Sequence, residues 1–153
     1  MAGEGEACSF LNPEGRCSIH TFRPGFCRLF PLGRLYENGS FRYFLQIHEC
    51  RKENRTKVRV RKWLDTPDFA SYERFINDWH YMAKELGETI RSLGAEGQEK
   101  AKTICLYVLN RFYMEPYGGT EGFYEEFYRR LEKAEKELEL KKTMHVQERI
   151  KRE

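Results

Sequence analysis

The segment Arg34-Leu-Tyr-Glu-Asn-Gly-Ser-Phe-Arg-Tyr-Phe-Leu-Gln-Ile47 decides the fold class, because it carries the strongest β-hairpin signal in the chain. Asn38 and Gly39 stand at its centre, and a type I′ hairpin turn needs positive φ at both central residues. The second flank is aromatic and largely apolar, so we expect that strand to be well covered. This hairpin supplies the β part of a predicted α+β fold.

Upstream of the hairpin, and just after it, lie four of the five cysteines, each beside a turn or a strand end. Asn12-Pro13-Glu14-Gly15 suits a tight turn with proline at its second position, which would fold the segment of Cys8 back beside Cys17. Pro24-Gly25 predicts a second bend just before Cys27, and Cys50 follows the second strand. We therefore expect residues 1–55 to form an irregular cysteine-rich module.

Downstream, apolar residues recur at three- and four-residue steps and predict helices, so residues 56–153 form a predicted helical region that packs on the module. Asp65 or Thr66 would cap the first long helix, with Pro67 in its first turn and Gly87 as its stop. A second helix is predicted over 96–114, with Cys105 on its buried face. A third helix is predicted from Thr120 into a charge-dense tail. Together with a possible short helix that includes Trp63 and Leu64, the prediction is three to four helices.

Residues 51–62 form a basic run with seven Lys and Arg and one acid. Thr56 would cap a short helix that includes Trp63 and Leu64, although alternation around Val58 and Val60 is also compatible with a strand. The run could contact phosphates, but such runs usually form solvated faces, so nucleic acid is not the favoured partner.

Composition bounds the class of protein. The chain has 153 residues, a formal net charge of +3, and 33% charged and 40% hydrophobic residues, as is typical of one globular protein. No apolar run reaches the roughly 20 residues of a membrane-spanning helix, and the first residues lack the pattern of a signal peptide. We therefore expect a cytoplasmic protein, where clustered cysteines indicate metal or redox chemistry before disulfides.

The four cysteines, Cys8, Cys17, Cys27 and Cys50, are candidate metal ligands. Their spacing contains no CxxC pair and fits no common zinc-finger or ferredoxin pattern, but four thiolates suit either tetrahedral Zn2+ or an iron–sulfur cluster. Cations stabilise thiolates, so two neighbouring arginines are candidate cofactor-binding residues, with a loop-fixing role as the alternative. These arginines are Arg23 and Arg28. The less favoured candidate ligands are His20 and His48.

Three motifs in this region are familiar: Cys8-Ser-Phe-Leu, Glu14-Gly-Arg-Cys17-Ser-Ile-His, and Arg23-Pro-Gly-Phe-Cys27-Arg-Leu-Phe-Pro31-Leu-Gly. They resemble the YkgJ-like CxxCxxCC cysteine-cluster family, described as a zinc- or iron-chelating domain. The resemblance implies a metal-binding protein in which the four early cysteines match the downstream cysteines of the family. The family's upstream CxxCxxCC half is missing here, so we expect a fragment, a late start or a reduced variant.

The resulting prediction is a metal-binding protein that holds Zn2+ or an iron–sulfur cluster in a structural or redox role. No catalytic motif is present, which argues against an enzyme without deciding the matter. Two alternatives stay open: a helical protein- or nucleic-acid-interaction module with a structural cysteine loop, and a remnant of an enzyme similar to flagellin lysine methylases. The charged C-terminal helix is a possible contact for a protein partner, and no membrane is expected.

Overall fold

The structure is a computed structural model that describes residues 8–47, 49, 56–119 and 121–139. The predicted α+β class is confirmed, since this part of the chain contains one two-stranded antiparallel hairpin and five α-helices. The elements, in chain order, are β1 (Leu32–Glu37) and β2 (Ser40–Leu45), preceded by α1 (Gly25–Leu29) and followed by α2 (Val60–Leu64), α3 (Phe69–Ser92), α4 (Gln98–Leu109) and α5 (Phe123–Glu137). Short 3-10 helices cover His20–Phe22 and Ala95–Gly97, and a π-helix covers Asn110–Met114.

The chain divides into two compact units. Unit 1 comprises Met1–Leu35 and Arg42–Pro67, and unit 2 comprises Tyr36–Phe41 and Asp68–Glu153. The tip of the hairpin therefore belongs to unit 2, whereas the outer ends of both strands belong to unit 1. Within the described residues, no helix has both the length and the hydrophobicity required to cross a bilayer.

The hairpin forms where the sequence predicts it. Asn38 and Gly39 have φ angles of 52° and 77°, the positive values of a type I′ turn. The expectation of a well-covered second strand is wrong at its end, since Phe44 and Leu45 are each 46% exposed. Phe44 nevertheless has a local role, because its ring lies against buried Gly33 and occupies the place of a β carbon there.

Contacts within unit 2 fix the tip of the hairpin on α3. The Asn77 amide donates a hydrogen bond to the Gly39 carbonyl (2.9 Å), and the Tyr81 hydroxyl donates to the Ser40 carbonyl (3.0 Å). The rings of Tyr36 and His80 stack with centroids 3.5 Å apart. These contacts explain why Asn77, a polar residue on a helix, is buried.

The helix α3 follows the predicted apolar stripe but not its predicted ends. Asp68, rather than Asp65 or Thr66, is the N-cap, and its carboxylate accepts a hydrogen bond from the Ser71 amide (3.1 Å). Gly87 does not stop the helix, because the apolar stripe continues to Ile90 and supplies packing that outweighs the modest helix cost of one glycine. The helix α2 is also present, but it begins at Val60 and has no side-chain cap from Thr56.

The hydrophobic core of unit 2 lies between α3, α4, the π-helix and α5. It is rich in aromatic rings, and Phe127 and Leu131 of α5 are almost fully buried at its centre. The predicted burial of Cys105 is wrong, since that thiol is exposed while Ile104 beside it is buried. One face of α4 therefore enters the core, and the adjoining face with Cys105 and Leu106 stays at the surface.

A buried arginine joins α5 to the π-helix. Arg130 is 1% exposed and donates to three backbone carbonyls, those of Arg111 (2.7 Å), Glu115 (2.9 Å) and Pro116 (2.9 Å). It also pairs with the Glu126 carboxylate at 2.7 Å. Because the charge and most of its donors are satisfied, this buried cation organises the end of the π-helix rather than destabilising the core.

We expect Arg130→Met to lower the free energy of unfolding by about 3 kcal/mol, because it leaves buried carbonyls without donors and removes a buried ion pair. The matched control is Arg129→Met. Arg129 pairs with the same Glu126 carboxylate, but its side chain is 64% exposed, so its loss costs less than about 1 kcal/mol. Urea denaturation followed by circular dichroism measures both values, and equal destabilisation by the two variants contradicts this account.

We expect the imidazole of His80 to titrate below its ordinary pKa. Burial against the hairpin tip, and secondly the charge of Lys84, lower the pKa of His80 from its usual 6.5. Because the folded state then holds a proton less readily than the unfolded state, the stabilisation is complete above pH 6.5 and is lost as the pH falls through the lowered pKa. An NMR titration of the His80 ring checks this shift.

A second variant tests the cause of that shift. Tyr36→Ala exposes His80 and is expected to return its pKa toward the ordinary value, whereas Tyr81→Phe keeps the rings around His80 and is expected to leave the shift in place. A pKa at or above 6.5 in the unaltered protein sinks the explanation.

Candidate metal centre

The first two candidate ligands lie on one small loop. The Gly15 amide donates to the Asn12 carbonyl (2.9 Å), as the predicted tight turn requires, and Gly15 has a φ of 72°. Beyond the turn, Leu11 and Cys17 form an isolated antiparallel bridge. The Cys8 carbonyl accepts from the Leu11 amide (3.0 Å), so Cys8 lies on the segment that folds back beside Cys17, as predicted.

The third candidate ligand lies on α1. Pro24 precedes this helix as its N-cap residue, and its φ of −54° suits the entry into the helix that follows. Cys27 is exposed on the outer side of α1, whereas Leu29 two residues later is buried. The helix packs on α2, and the Trp63 indole of α2 donates to the Phe30 carbonyl (3.2 Å).

Arg28 connects α1 to the segment before it and to the end of α2. Its guanidinium donates to three backbone carbonyls, those of Arg23 (3.1 Å), Asp65 (3.1 Å) and Thr21 (3.3 Å). Its partners are carbonyls rather than a carboxylate, so the loop-fixing role weighed for it takes the form of backbone hydrogen bonds. Arg23 is half-buried, and its Nε atom is buried without a hydrogen-bond partner among the described residues.

The remaining candidates are distributed differently. Cys50 and His48 lie outside the described residues, and His20 is exposed in the 3-10 helix His20–Phe22. Cys8 and Cys27 are exposed and Cys17 is half-buried, and all three are free thiols. Over the described ranges, no three His, Cys, Asp or Glu side chains form a group that could hold a metal ion.

A thiophilic metal fits the donor type and accessibility of these residues. Three free thiols lie on turns and on a helix of unit 1, and none of them is enclosed in a core. The described positions do not show a preformed group of three ligands, and the fourth candidate, Cys50, stands outside the described part. Metal sites of this kind often form only as the metal binds, because binding and folding are coupled.

Sequence reasoning missed two features of this region. It did not identify the contact between α1 and α2, which depends on Trp63 meeting a carbonyl 33 residues earlier in the chain. It also weighed a salt bridge as the way in which Arg28 fixes the loop, whereas the guanidinium donates to three backbone carbonyls. Pro24 and Gly25 predict a bend just before Cys27. Local sequence does not predict which distant carbonyls accept hydrogen bonds from an arginine.

Comparison with known proteins supports this part of the chain as a metal-binding domain. Residues 1–63 match the family model CxxCxxCC, described as "Putative zinc- or iron-chelating domain". The match includes all four candidate cysteines, and it confirms the resemblance to a CxxCxxCC cysteine-cluster family over these residues. No curated protein and no solved structure matches the chain significantly.

We expect Arg28→Ala to destabilise unit 1 by about 1 to 2 kcal/mol, since three carbonyls lose a charged donor in a half-buried setting. Arg16→Ala is the control in the same unit, because Arg16 is exposed and its side chain makes no hydrogen bond or ion pair with other described residues. Hydrogen exchange of the amides around α1 measures the effect. The same exchange rates in both variants contradict the structural role given to Arg28.

Proposed function

We propose that Cys8, Cys17, Cys27 and Cys50 together bind a thiophilic metal centre, Zn2+ or an iron–sulfur cluster, whose role is to hold unit 1 folded. The proposal extends the zinc- or iron-chelating description of residues 1–63 to particular ligands and to a structural role. Soft sulfur donors suit both kinds of centre, so ligand type does not choose between them.

One observation carries the structural role: unit 1 buries very little. Among its described residues only Leu29, Gly33 and Leu64 are buried, and the glycine contributes no side chain. Several large apolar side chains of the same unit remain exposed, including Phe22 at 83% and Phe26 at 84%. Small domains with such limited cores usually need disulfides or a metal to stay folded.

A bound metal would supply the missing stabilisation. The four cysteines come from three parts of unit 1: the loop that carries Cys8 and Cys17, the helix α1, and the chain that follows β2. A centre with ligands from all three parts would cross-link them, and a structural zinc site contributes its binding free energy directly to folding. The arginines of this unit would offset the negative charge of the thiolates.

We expect protein purified without oxygen to contain metal bound through these cysteines, and each Cys→Ser change to lower the metal content several-fold. Cys8→Ser and Cys27→Ser are the most informative variants, since both thiols are exposed and neither substitution opens a core. Cys105→Ser is the matched control, because it removes an exposed thiol from unit 2 and should leave the metal content unchanged.

Elemental analysis and an assay for acid-labile sulfide read out the result. Iron with equimolar sulfide identifies a cluster, and zinc alone identifies a mononuclear site. Full metal content in both Cys8→Ser and Cys27→Ser excludes the proposed ligand set, and a metal-free protein with unit 1 folded excludes the function itself.

The structural role has its own measurement. A chelator strong enough to remove the metal is expected to expose the amides of α1 and α2 to exchange while those of α3 and α5 stay protected. If metal removal leaves exchange in α1 and α2 unchanged, the centre binds metal without holding the unit folded.

A further inference from the structure

A small cavity in unit 2 is lined entirely by aromatic side chains. It has a volume of about 130 Å³, and its seven lining residues come from α3, from the π-helix and the loop after it, and from α5. Another cavity, beside the π-helix, is different, since Asn110, Arg111 and Glu115 give it polar and charged walls. The aromatic cavity therefore offers ring faces and edges and no charged group.

The rings contact one another and form a continuous wall. Tyr113 lies 5.8 Å from Trp79 between ring centroids, and Trp79 lies 6.0 Å from Phe127. On the far side, Phe123 lies 6.4 Å from Phe127 and 4.7 Å from Tyr117. Phe127 is 1% exposed and Tyr113 is 65% exposed, so the buried ring forms the base of the cavity and Tyr113 forms part of its rim.

The surrounding backbone holds this cavity in place. The π-helix Asn110–Met114 supplies Phe112 and Tyr113, and π-helical turns occur frequently at functional sites. Arg130 bonds to the carbonyls of Arg111, Glu115 and Pro116, which lie at the start of this helix and just beyond its end. The rim is therefore anchored by a buried charge network, and ring atoms that face the void lack the contacts that an occupant would restore.

Size and charge define the occupant. An enclosed apolar cavity of about 150 Å³ accommodates benzene, so this open cavity of about 130 Å³ has room for a single six-membered ring. Aromatic faces also attract cations, but the Arg130 guanidinium already lies 3.9 Å from the centroid of Tyr117 and would repel a second positive charge. No carboxylate lines the cavity to compensate for such a charge.

We propose that this aromatic cavity is a binding site for a small neutral molecule with a single aromatic ring. Edge-to-face contacts with Trp79 and Tyr113 would hold the ring, and the hydroxyls of Tyr113 and Tyr117 would tolerate one polar substituent at the rim. The site lies in unit 2 and involves none of the cysteines, so it stands or falls independently of the metal centre.

Titration with toluene and phenol tests the proposal. The chain has two tryptophans, so Trp63→Phe leaves Trp79 as the only tryptophan whose fluorescence is followed, and thermal shift of the unaltered chain provides a second readout. We expect a saturable change in Trp79 fluorescence and a rise in the unfolding temperature with each probe. No saturable response up to the solubility limit of both probes overturns the site.

Variants locate the binding. Tyr113→Ala is expected to weaken toluene binding about three- to tenfold, and Tyr113→Phe to preserve it. Met114→Ala is the matched control, because Met114 lies on the same π-helix, is 68% exposed and lines the other cavity. Equal affinities of Tyr113→Ala and Met114→Ala contradict the assignment, and tighter binding of tetramethylammonium than of toluene contradicts the neutral character of the ligand.

Discussion

The limited burial in unit 1 is the constraint on which the interpretation of this protein depends. Leu29 and Leu64 are the only large apolar side chains buried in its described residues, and they lie on two helices of five residues each. Helices that short are marginal by themselves, so packing or cross-links must stabilise them. Arg28 and Trp63 provide part of this through backbone carbonyls, and a thiolate-bound metal would provide a cross-link that the apolar residues do not.

Unit 2 is stabilised by an ordinary hydrophobic core. Its long helix α3 and the helix α5 enclose an aromatic core, and two buried charged side chains of this unit, Asp78 and Arg130, are paired. Tyr128 donates from its hydroxyl to the buried Asp78 carboxylate (3.0 Å), and this burial and the charge of Asp78 raise the pKa of the tyrosine. Arg130 satisfies carbonyls that would otherwise be buried without donors. A core of this size can stabilise the unit through apolar burial alone.

Much of this organisation was predictable from the sequence, wherever one local rule acted alone. Asn38-Gly39 predicted the hairpin because few residues besides this pair tolerate the turn. The stripe through Trp79 predicted α3, but Gly87 misled as a stop signal, since a single glycine costs less than the packing of the turns that follow it. The burial of Cys105 was predicted wrongly because this residue lies next to the buried face of α4. The packing of Ile104, and not the sequence pattern, determines where that face ends.

Metal binding in general was predictable for this part of the chain, whereas the ligand set stays a prediction. Residue type and motif identified Cys8, Cys17, Cys27 and Cys50, and the family match covers the segment that contains them. The contacts of Arg28 and the exposure of Phe26 depend on distant parts of the chain, so no local pattern could reveal them. The π-helix was not predicted from the sequence either. The buried residue that donates to its Arg111 carbonyl, Arg130, lies 16 residues beyond Met114 in the sequence.

Charge distribution connects the proposed centre to the composition of the chain. Unit 1 contains twelve Lys and Arg against six Asp and Glu, whereas unit 2 contains fifteen against eighteen. The net charge of +3 thus conceals a unit of +6 and a unit of −3. Cysteine ligands must lose their protons to bind a metal, and four thiolates around one Zn2+ retain two negative charges.

A strongly basic unit lowers the cost of that negative charge, because cations near a thiolate favour its deprotonated form. The basic residues of unit 1 would therefore favour the proposed centre without any nucleic acid, since they would offset the negative charge of its thiolates. In the proposed centre, Arg23 and Arg28 would contribute to this offset through their charge, and Arg28 would do so in addition to its hydrogen bonds to three backbone carbonyls.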